Sequence, residues 1–325
     1  MYIVMEASER PFTRPHHETT PLVPVPDAES TALSEIGSEA SVALRCWGTR
    51  GSIPSPGPHT ARYGGNTTCF EISVGDRRLI FDAGSGLRLL GMDLLKNGGE
   101  FGHIFLTHFH WDHIQGFPFF GPLYDPSINL KIVGPKQNNI DVRSLFAGQM
   151  GPIYFPVPFS VVAATMSFDH LNEGTLDLDG ILLTTFRVKH PSYVVGYRVE
   201  IGDKVICFIP DNEIEGDMYP VGPDWRAGLV DFCHGADLLV HDSMYTDEEY
   251  TQRSGWGHST FSQSLRLAEE AEVRKLLFTH HDPTRSDDQL DEIVNRTRDD
   301  ALSRGCSIEM AAAAEGIDIK LENLT

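Results

Sequence analysis

Residues 107–116, THFHWDHIQG, place four metal-binding side chains within six positions of the chain. These are His108, His110, Asp112 and His113. They follow an apolar run, residues 103–106, that is typical of a strand. Imidazole nitrogens and carboxylate oxygens are ligands for zinc, manganese or iron. His108 and His110 are one residue apart and fit one ion, whereas Asp112 and His113 lie just past the turn and face a second. The spacing therefore predicts a metal site rather than four isolated structural residues.

Two metal ions need more ligands than this cluster supplies, and we expect them where other strands end. His190, Asp211 and His280 each follow an apolar run that reads as a strand. One predicted ion binds His108, His110 and His190, the other binds Asp112, His113 and His280, and Asp211 bridges the two. His281 is the alternative to His280, which we prefer.

Strands and helices with the expected periodicity surround these positions. The predicted strands are 42–48, 70–74, 78–82, 103–107, 130–133, 181–188, 194–200, 204–209, 237–241, 275–279 and 317–321, and the predicted helices are 138–149, 261–272 and 287–304. Thr260 or Ser262 could cap the second helix, and Ser286 the third. Because the strands fall into two groups with helices outside each, the pattern predicts an α/β fold, a four-layer αββα sandwich.

Composition indicates a soluble globular protein of 325 residues with 41% hydrophobic and 22% charged residues. Residues 1–42 are rich in Pro, Ser, Thr and Glu and are predicted to be a flexible extension before a single hydrolase domain, 43–325. An arm that packs on a partner subunit is the alternative for this segment. There is no secretory signal pattern and no apolar run of the roughly 20 residues that span a bilayer. The five cysteines form no CxxC pair, which favours a reducing compartment, and we expect a cytoplasmic protein.

The formal net charge of −20 bears on the choice of ligand. A field of this sign repels polyphosphate backbones unless a basic patch reverses it, and no such patch is apparent in the sequence. The charge therefore predicts a small-molecule partner, with neither a long nucleic acid nor a membrane; homodimer formation is left open.

With these motifs in view, the chain resembles a metallo-β-lactamase-fold hydrolase over about residues 44–321. The signature THxHxDHxxG is specific to that superfamily, and Asp82 in FDAGSG matches a family residue that usually holds a ligand in place. Residues 47–69 and 241–260 are similar to the branch that contains the transfer-RNA 3′ endonuclease (tRNase Z) and phosphoribosyl 1,2-cyclic phosphate phosphodiesterase. The resemblance implies that His258, in an HST segment, aids departure of the leaving group.

The expected activity is that of a dinuclear-metal phosphodiesterase acting on a small, including a cyclic, phosphodiester through a metal-bridging hydroxide. Zn²⁺ is the first choice for the two divalent ions and Mn²⁺ the second. Asp112 and His258 are the predicted catalytic residues. Only twenty residues separate His190 from Asp211, which leaves no room there for the arm of the long tRNA-processing enzymes.

Three residues are predicted to contact substrate: Arg50, Asn66 and Arg285. A turn-building role is the alternative for Arg50 and Asn66, and Arg285 could instead pair with Asp282 or Asp287. Two other functions compete with phosphodiester hydrolysis. The same metal pair could hydrolyse a carboxyl ester, thioester or lactone, and a di-iron redox or oxygen-sensing module is known on this fold. The GWGHST segment favours phosphorus over carbon, and the intact His110 disfavours the iron module.

Overall fold

The computed structural model describes residues 41–137 and 140–321. The extension predicted for residues 1–42 lies outside this part of the chain, apart from Ser41 and Val42, and the first strand begins at Val42. Within the described ranges, none of the helices is long and apolar enough to cross a bilayer.

Two mixed seven-stranded sheets form the centre of the described structure. The first has the order β14-β1-β2-β3-β4-β5-β6 and comprises β1 (Val42–Gly48), β2 (Cys69–Val74), β3 (Arg77–Phe81), β4 (Glu100–Phe105), β5 (Asn129–Gly134), β6 (Thr165–His170) and β14 (Asp318–Leu321). The second has the order β13-β12-β11-β10-β9-β8-β7 and comprises β7 (Gly174–Leu178), β8 (Ile181–Val188), β9 (Val194–Ile201), β10 (Lys204–Ile209), β11 (Leu238–Asp242), β12 (Lys275–Thr279) and β13 (Glu309–Ala312).

Helices cover the outer faces of both sheets. They are α1 (Leu87–Asn97), α2 (Trp111–Ile114), α3 (Val142–Gln149), α4 (Trp225–Cys233), α5 (Asp247–Tyr250), α6 (Phe261–Glu270) and α7 (Asp287–Ser303). One apolar cluster packs α1 and α3 on the first sheet, another packs α4, α6 and α7 on the second, and a third joins the two sheets face to face. This arrangement confirms the predicted four-layer αββα sandwich.

Local signals located α6 and α7 closely. Thr260 and Ser286 cap them, each in a capping box with the glutamine three residues later. The predicted helix 138–149 begins later, at Val142, because the Asp141 side chain caps it by accepting from the Ser144 N–H. The sequence pattern did not predict β6, β7, β13, α1, α2, α4 or α5.

The carboxyl ends of several parallel strands meet at one edge of the sandwich. In the first sheet β3 and β4 are parallel, and in the second β10, β11 and β12 are parallel. Short loops after β4, β10 and β12 carry the His108 cluster, Asp211 and His280, which is why residues far apart in sequence converge there.

Candidate metal centre

The seven residues predicted as metal ligands lie together at this edge. Candidate ligand atoms of His108, His110 and His190 all lie within 4.8 Å of one another, as do those of Asp112, His113 and His280. These are the two triplets expected from the sequence. His110 is the most solvent-accessible of the seven residues, and the other six are buried.

Asp211 lies between the two triplets, at the position expected of a bridging carboxylate. Its Oδ1 is 3.0 Å from His113 Nε2. Its Oδ2 faces three further imidazoles, with distances to Nε2 of 3.3 Å for His280, 3.6 Å for His190 and 3.8 Å for His108.

Groups outside the cluster orient its imidazole rings. The Asp82 carboxylate lies 2.8 Å from His113 Nδ1 and also accepts from the Thr107 N–H and hydroxyl. The Gly257 carbonyl lies 2.8 Å from His190 Nδ1. Because each of these oxygens can only accept, both Nδ1 atoms carry a proton, and Nε2 is left to face the cluster.

The backbone around the centre is strained and closely packed. Asp82 and His280 both have φ of 58°, a left-handed conformation that is uncommon for residues other than glycine and clusters at functional sites. A Cβ at Gly51 would lie 2.3 Å from the His280 ring, so this glycine permits the close approach of the 51–53 loop. The next residue, Ser52, donates its N–H to Asp112 Oδ2 over 2.8 Å.

Unpaired buried atoms test whether the residues fit a metal ion. Within the described residues, His108 Nε2, His113 Nε2 and Asp211 Oδ1 are buried without a hydrogen-bond partner. The last two atoms are 3.0 Å apart but not in hydrogen-bond geometry. Burying such atoms is costly unless something compensates them. His190 Nε2 and His110 Nδ1 also lie 3.1 Å apart, a spacing suited to two ligands of one ion. The donor set of imidazoles and carboxylates therefore fits divalent cations.

The two triplets differ in the charge states of their imidazoles. Burial lowers the pKa of His110, lowers that of His108 well below its usual range, and brings the pKa of His190 to about 3, so these rings are neutral. Burial opposes protonation of His280, yet Asp211 and neighbouring carboxylates raise its pKa to about 9. Burial likewise opposes protonation of His113, but Asp211, Asp112 and Asp82 raise its pKa well above its usual range. A bound divalent cation would replace these protons as the positive partner of the carboxylates.

His258 lies beside the cluster and is paired with a carboxylate that the sequence reasoning did not single out. Its Nδ1 is 2.8 Å from Asp242 Oδ2, and its ring stacks on that of His280 with centroids 4.6 Å apart. Asp242 ends β11 and also accepts from the backbone N–H groups of Asn212 and Met244. The available signal was its place at the end of an apolar strand, in HDSMY, as for Asp211. By distance alone, His258 also forms possible metal triplets with His190 and Asp211 and with Asp242 and His280.

The two adjacent histidines after β12 face different surroundings. His280 Nε2 is 3.2 Å from Asp112 Oδ2, within the cluster. His281 is also buried, but its Nε2 is 2.9 Å from the Ala313 carbonyl, and its ring packs edge-on against Tyr63. The structure thus places His280, and not His281, among the candidate ligands.

The structure is at odds with the three predicted substrate contacts, because most of their side-chain polar atoms are hydrogen-bonded within the protein. Arg50 is fully buried and donates to the carbonyl groups of Gly64, Asp282 and Arg285. The Asn66 amide donates to Glu315 and accepts from Ser85. Arg285 pairs with Glu249, at 2.6 and 2.9 Å, rather than with Asp282 or Asp287. The turn-building alternative describes Arg50 and Asn66 better.

Comparison with known proteins identifies relatives over most of the chain. A family model described as "Beta-lactamase superfamily domain" matches residues 77–281. The ribonuclease Z of Haloferax volcanii is 27% identical over 282 residues, covering 72% of this chain and 82% of that protein. The metallo-β-lactamase fold protein YhfI from Bacillus subtilis superposes with a TM-score of 0.64 at 18% identity, covering 86% of this chain and 100% of that one. The short form of human tRNase Z superposes with a TM-score of 0.59 at 21% identity, covering 85% and 98%.

These findings confirm the predicted resemblance and the prediction of a metal-dependent hydrolase. They contradict the exclusion of a long nucleic acid, because several curated relatives are named ribonuclease Z, and a ribonuclease acts on RNA. The exclusion was wrong because it used the net charge of the whole chain. Solvent-exposed charges are screened beyond about 8 Å at physiological ionic strength, so total charge does not decide what a local site binds.

Proposed function

Since this chain belongs to the β-lactamase superfamily, we propose that it is a metal-dependent phosphodiesterase. The observation that carries the proposal is the cluster of seven histidine and aspartate residues, with buried nitrogen and oxygen atoms unpaired at its centre. The relatives named ribonuclease Z support phosphorus rather than carbon as the reacting centre.

Two divalent ions, zinc first and manganese second, are the proposed occupants. One triplet comprises His108, His110 and His190, the other comprises Asp112, His113 and His280, and Asp211 is shared. When bound, such a pair makes water more acidic and neutralises charge on the phosphoryl oxygens. Asp82 and the Gly257 carbonyl keep His113 and His190 in the tautomer that binds through Nε2.

His258 is the proposed general acid. Asp242 accepts from His258 Nδ1, so Nδ1 keeps its proton and Nε2 is the atom that can transfer one. A protonated His258 would donate from Nε2 to the departing oxygen of the phosphodiester. Asp242 orients the ring and stabilises the imidazolium, which is the role of a buried carboxylate next to a catalytic histidine.

The proposed substrate is defined by its phosphodiester bond. A small phosphodiester, including a cyclic one, presents this bond, and so does RNA, on which enzymes named ribonuclease Z act. The segment between His190 and Asp211 consists of β9, β10 and a tight turn, as its length predicted. A panel of RNA, cyclic nucleotides and simple diesters assayed with the metal-reconstituted protein would rank these substrates.

The decisive experiment couples metal content to hydrolysis. Zinc-reconstituted wild-type protein should hydrolyse bis(p-nitrophenyl) phosphate, whereas Asp211→Ala and His110→Ala should lose bound metal and activity together. His234→Ala is the matched control, because His234 is exposed and precedes β11 at its amino end, away from the cluster. Circular dichroism establishes that each variant is folded. Hydrolysis of p-nitrophenyl acetate or a lactone, without phosphodiester hydrolysis, would overturn the proposal in favour of a carbon centre.

A further inference from the structure

Three exposed apolar residues lie, along the chain, next to residues that form or contact the metal centre. Trp111 is 61% exposed, Ile53 59% and Trp256 55%, although large apolar side chains usually avoid water. Each is one residue away from a group that touches the cluster. All three are therefore carried by loops that also contact the proposed metal centre.

The backbone that carries each side chain is anchored to the cluster. Trp111 lies between His110 and Asp112 and begins α2. Trp256 precedes Gly257, whose carbonyl lies 2.8 Å from His190 Nδ1. His190 Nε2 is in turn 3.1 Å from His110 Nδ1. The residue before Trp111 and the residue after Trp256 therefore both contact His190.

A buried carboxylate holds the turn that presents Trp256. Glu213 is 1% exposed and accepts from the Gly255 N–H at 2.7 Å and the Gly257 N–H at 2.9 Å. It also accepts from the Tyr250 hydroxyl at 2.6 Å. The turn is therefore fixed on both sides of Trp256, and the exposure of this indole is a consequence of an ordered backbone rather than of a loose loop.

The other two tryptophans of the chain show the contrast. Trp47 donates its indole N–H to Glu71, and Trp225 donates to the Arg187 carbonyl. Both are partly buried, and Trp225 also packs against Phe186. These two indoles have structural roles, whereas the two beside the metal centre present their surfaces to solvent.

We propose that Trp111 and Trp256 form an aromatic subsite that binds the nucleobase of a nucleotide phosphodiester whose phosphate lies at the metal centre. The inference rests on the proposed phosphodiesterase function and names the chemical class of its substrate. Every nucleobase has a planar face that stacks on an indole, and this affinity does not depend on charge.

Two substrates with the same leaving group isolate the contribution of the base. Thymidine 5′-(p-nitrophenyl phosphate) carries a nucleobase, and methyl p-nitrophenyl phosphate does not, but both release p-nitrophenolate. With zinc-reconstituted protein, Trp111→Ala and Trp256→Ala should each raise KM for the thymidine ester by roughly 5- to 150-fold, the range for loss of one base stack. KM for the methyl ester, and kcat for both, should stay near wild type.

Matched variants separate stacking from general damage. Trp111→Phe and Trp256→Phe keep an aromatic face and should retain most of the affinity for the thymidine ester. Leu302→Ala is the control, because it removes an apolar side chain of similar exposure, 62%, at the end of α7. This variant should leave KM and kcat for both esters unchanged. Equal losses on both esters in the tryptophan variants would overturn the proposal.

Binding measured without turnover distinguishes this inference from the proposed function. Isothermal titration calorimetry with thymidine 5′-monophosphate should show weaker binding to both alanine variants than to wild type. If neither ester is hydrolysed but binding still depends on the tryptophans, the phosphodiesterase proposal fails and the aromatic subsite stands. If the monophosphate binds wild type and both alanine variants equally, or does not bind at all, the aromatic subsite is refuted.

Discussion

His258 and Asp242 form a buried pair at the side of the metal centre. Their 2.8 Å contact fixes the ring orientation, and the stacking on His280 places the imidazole against the proposed ligands. The pair is useful only for leaving groups that need a proton, because p-nitrophenolate departs readily as an anion. This difference separates proton donation by His258 from a role in holding metal.

Replacing His258 should therefore have an effect that depends on the leaving group. His258→Ala is expected to slow hydrolysis of an alkyl phosphodiester, such as a dinucleotide, by about 100- to 10,000-fold, the usual contribution of general acid catalysis. Rates with bis(p-nitrophenyl) phosphate should fall much less. Steady-state kinetics of both substrates, with metal content measured in parallel, provide the check. If His258→Ala loses zinc and the hydrolysis of both substrates falls equally, His258 binds metal rather than donating a proton.

Arg50 illustrates a different use of charge, within the structure rather than towards substrate. Its guanidinium donates to three backbone carbonyl groups and lies 3.6 Å from the buried carboxylate of Asp287. These contacts hold the loop after β1 to the start of α7. Removing one member of a buried pair leaves the other charge uncompensated.

Arg50→Ala should accordingly lower the free energy of unfolding by about 3–5 kcal/mol. The control is Arg62→Ala, because Arg62 is half exposed and pairs with Asp288 and Asp291 near the surface, where such pairs contribute about 0–1 kcal/mol. Urea unfolding followed by circular dichroism measures both. If the free energy of unfolding falls no more in Arg50→Ala than in Arg62→Ala, the buried contacts of Arg50 contribute little to stability.

Strand ends and tight turns are the elements that bring the centre together. The turn 255–257 affects the position of three residues. It contains Trp256, it directly precedes His258, and its Gly257 carbonyl orients His190. Gly255 and Gly257 both have positive φ, at 87° and 89°. The two glycines differ in the atoms that an added Cβ would contact, so alanine variants at the two positions can be compared directly.

Gly257→Ala should reduce kcat/KM by about 100-fold, the cost of displacing catalytic groups by roughly 1 Å. An added Cβ would lie 2.5 Å from His190 Nδ1 and from the Pro191 ring. In Gly255→Ala the new Cβ would meet only the flexible end of Met218, at 2.8 Å, so similar backbone strain should leave activity near wild type. Kinetics and thermal unfolding of both variants test this. Equal activity losses would assign the effect to strain of the turn alone.

The metal centre joins the two halves of the molecule. The loop after β4 of the first sheet supplies His108, His110, Asp112 and His113. Loops after strands β8, β10 and β12 of the second sheet supply His190, Asp211 and His280. Any ion held by both sets ties the sheets together at that edge. Without it, buried atoms of His108, His113 and Asp211 are left without a hydrogen-bond partner.

Chelation should therefore destabilise the whole protein. Removing zinc with EDTA is expected to cost about 4 kcal/mol of unfolding free energy if the free metal had been present at about 1,000 times its Kd. The midpoint of thermal unfolding should fall, and zinc should restore it. His110→Ala should show a smaller shift on chelation than His234→Ala, which keeps the complete cluster. An unchanged midpoint for wild type would mean that the ions do not link the sheets.

Much of the centre was readable from the chain. Residues 107–116 had to bring their side chains into one volume, because four ligands within six positions follow a strand and a turn. His190, Asp211 and His280 were predicted from a single rule, that further ligands lie where an apolar strand ends. The layers of the fold followed similarly from periodicity and helix caps, which are local properties.

The choice among polar partners came from long-range packing instead. Arg50 meets Asp282, 232 positions away, and His258 meets Asp242 through the approach of a turn to the end of β11. Likewise, one backbone step separates His280 in the cluster from His281 against Ala313. Periodicity and composition describe neighbours along the chain, whereas a buried polar group pairs with whatever the packing of distant segments brings to it. That physical difference is why the candidate ligands could be read from the residues themselves, while the surroundings of each arginine and histidine required the folded chain.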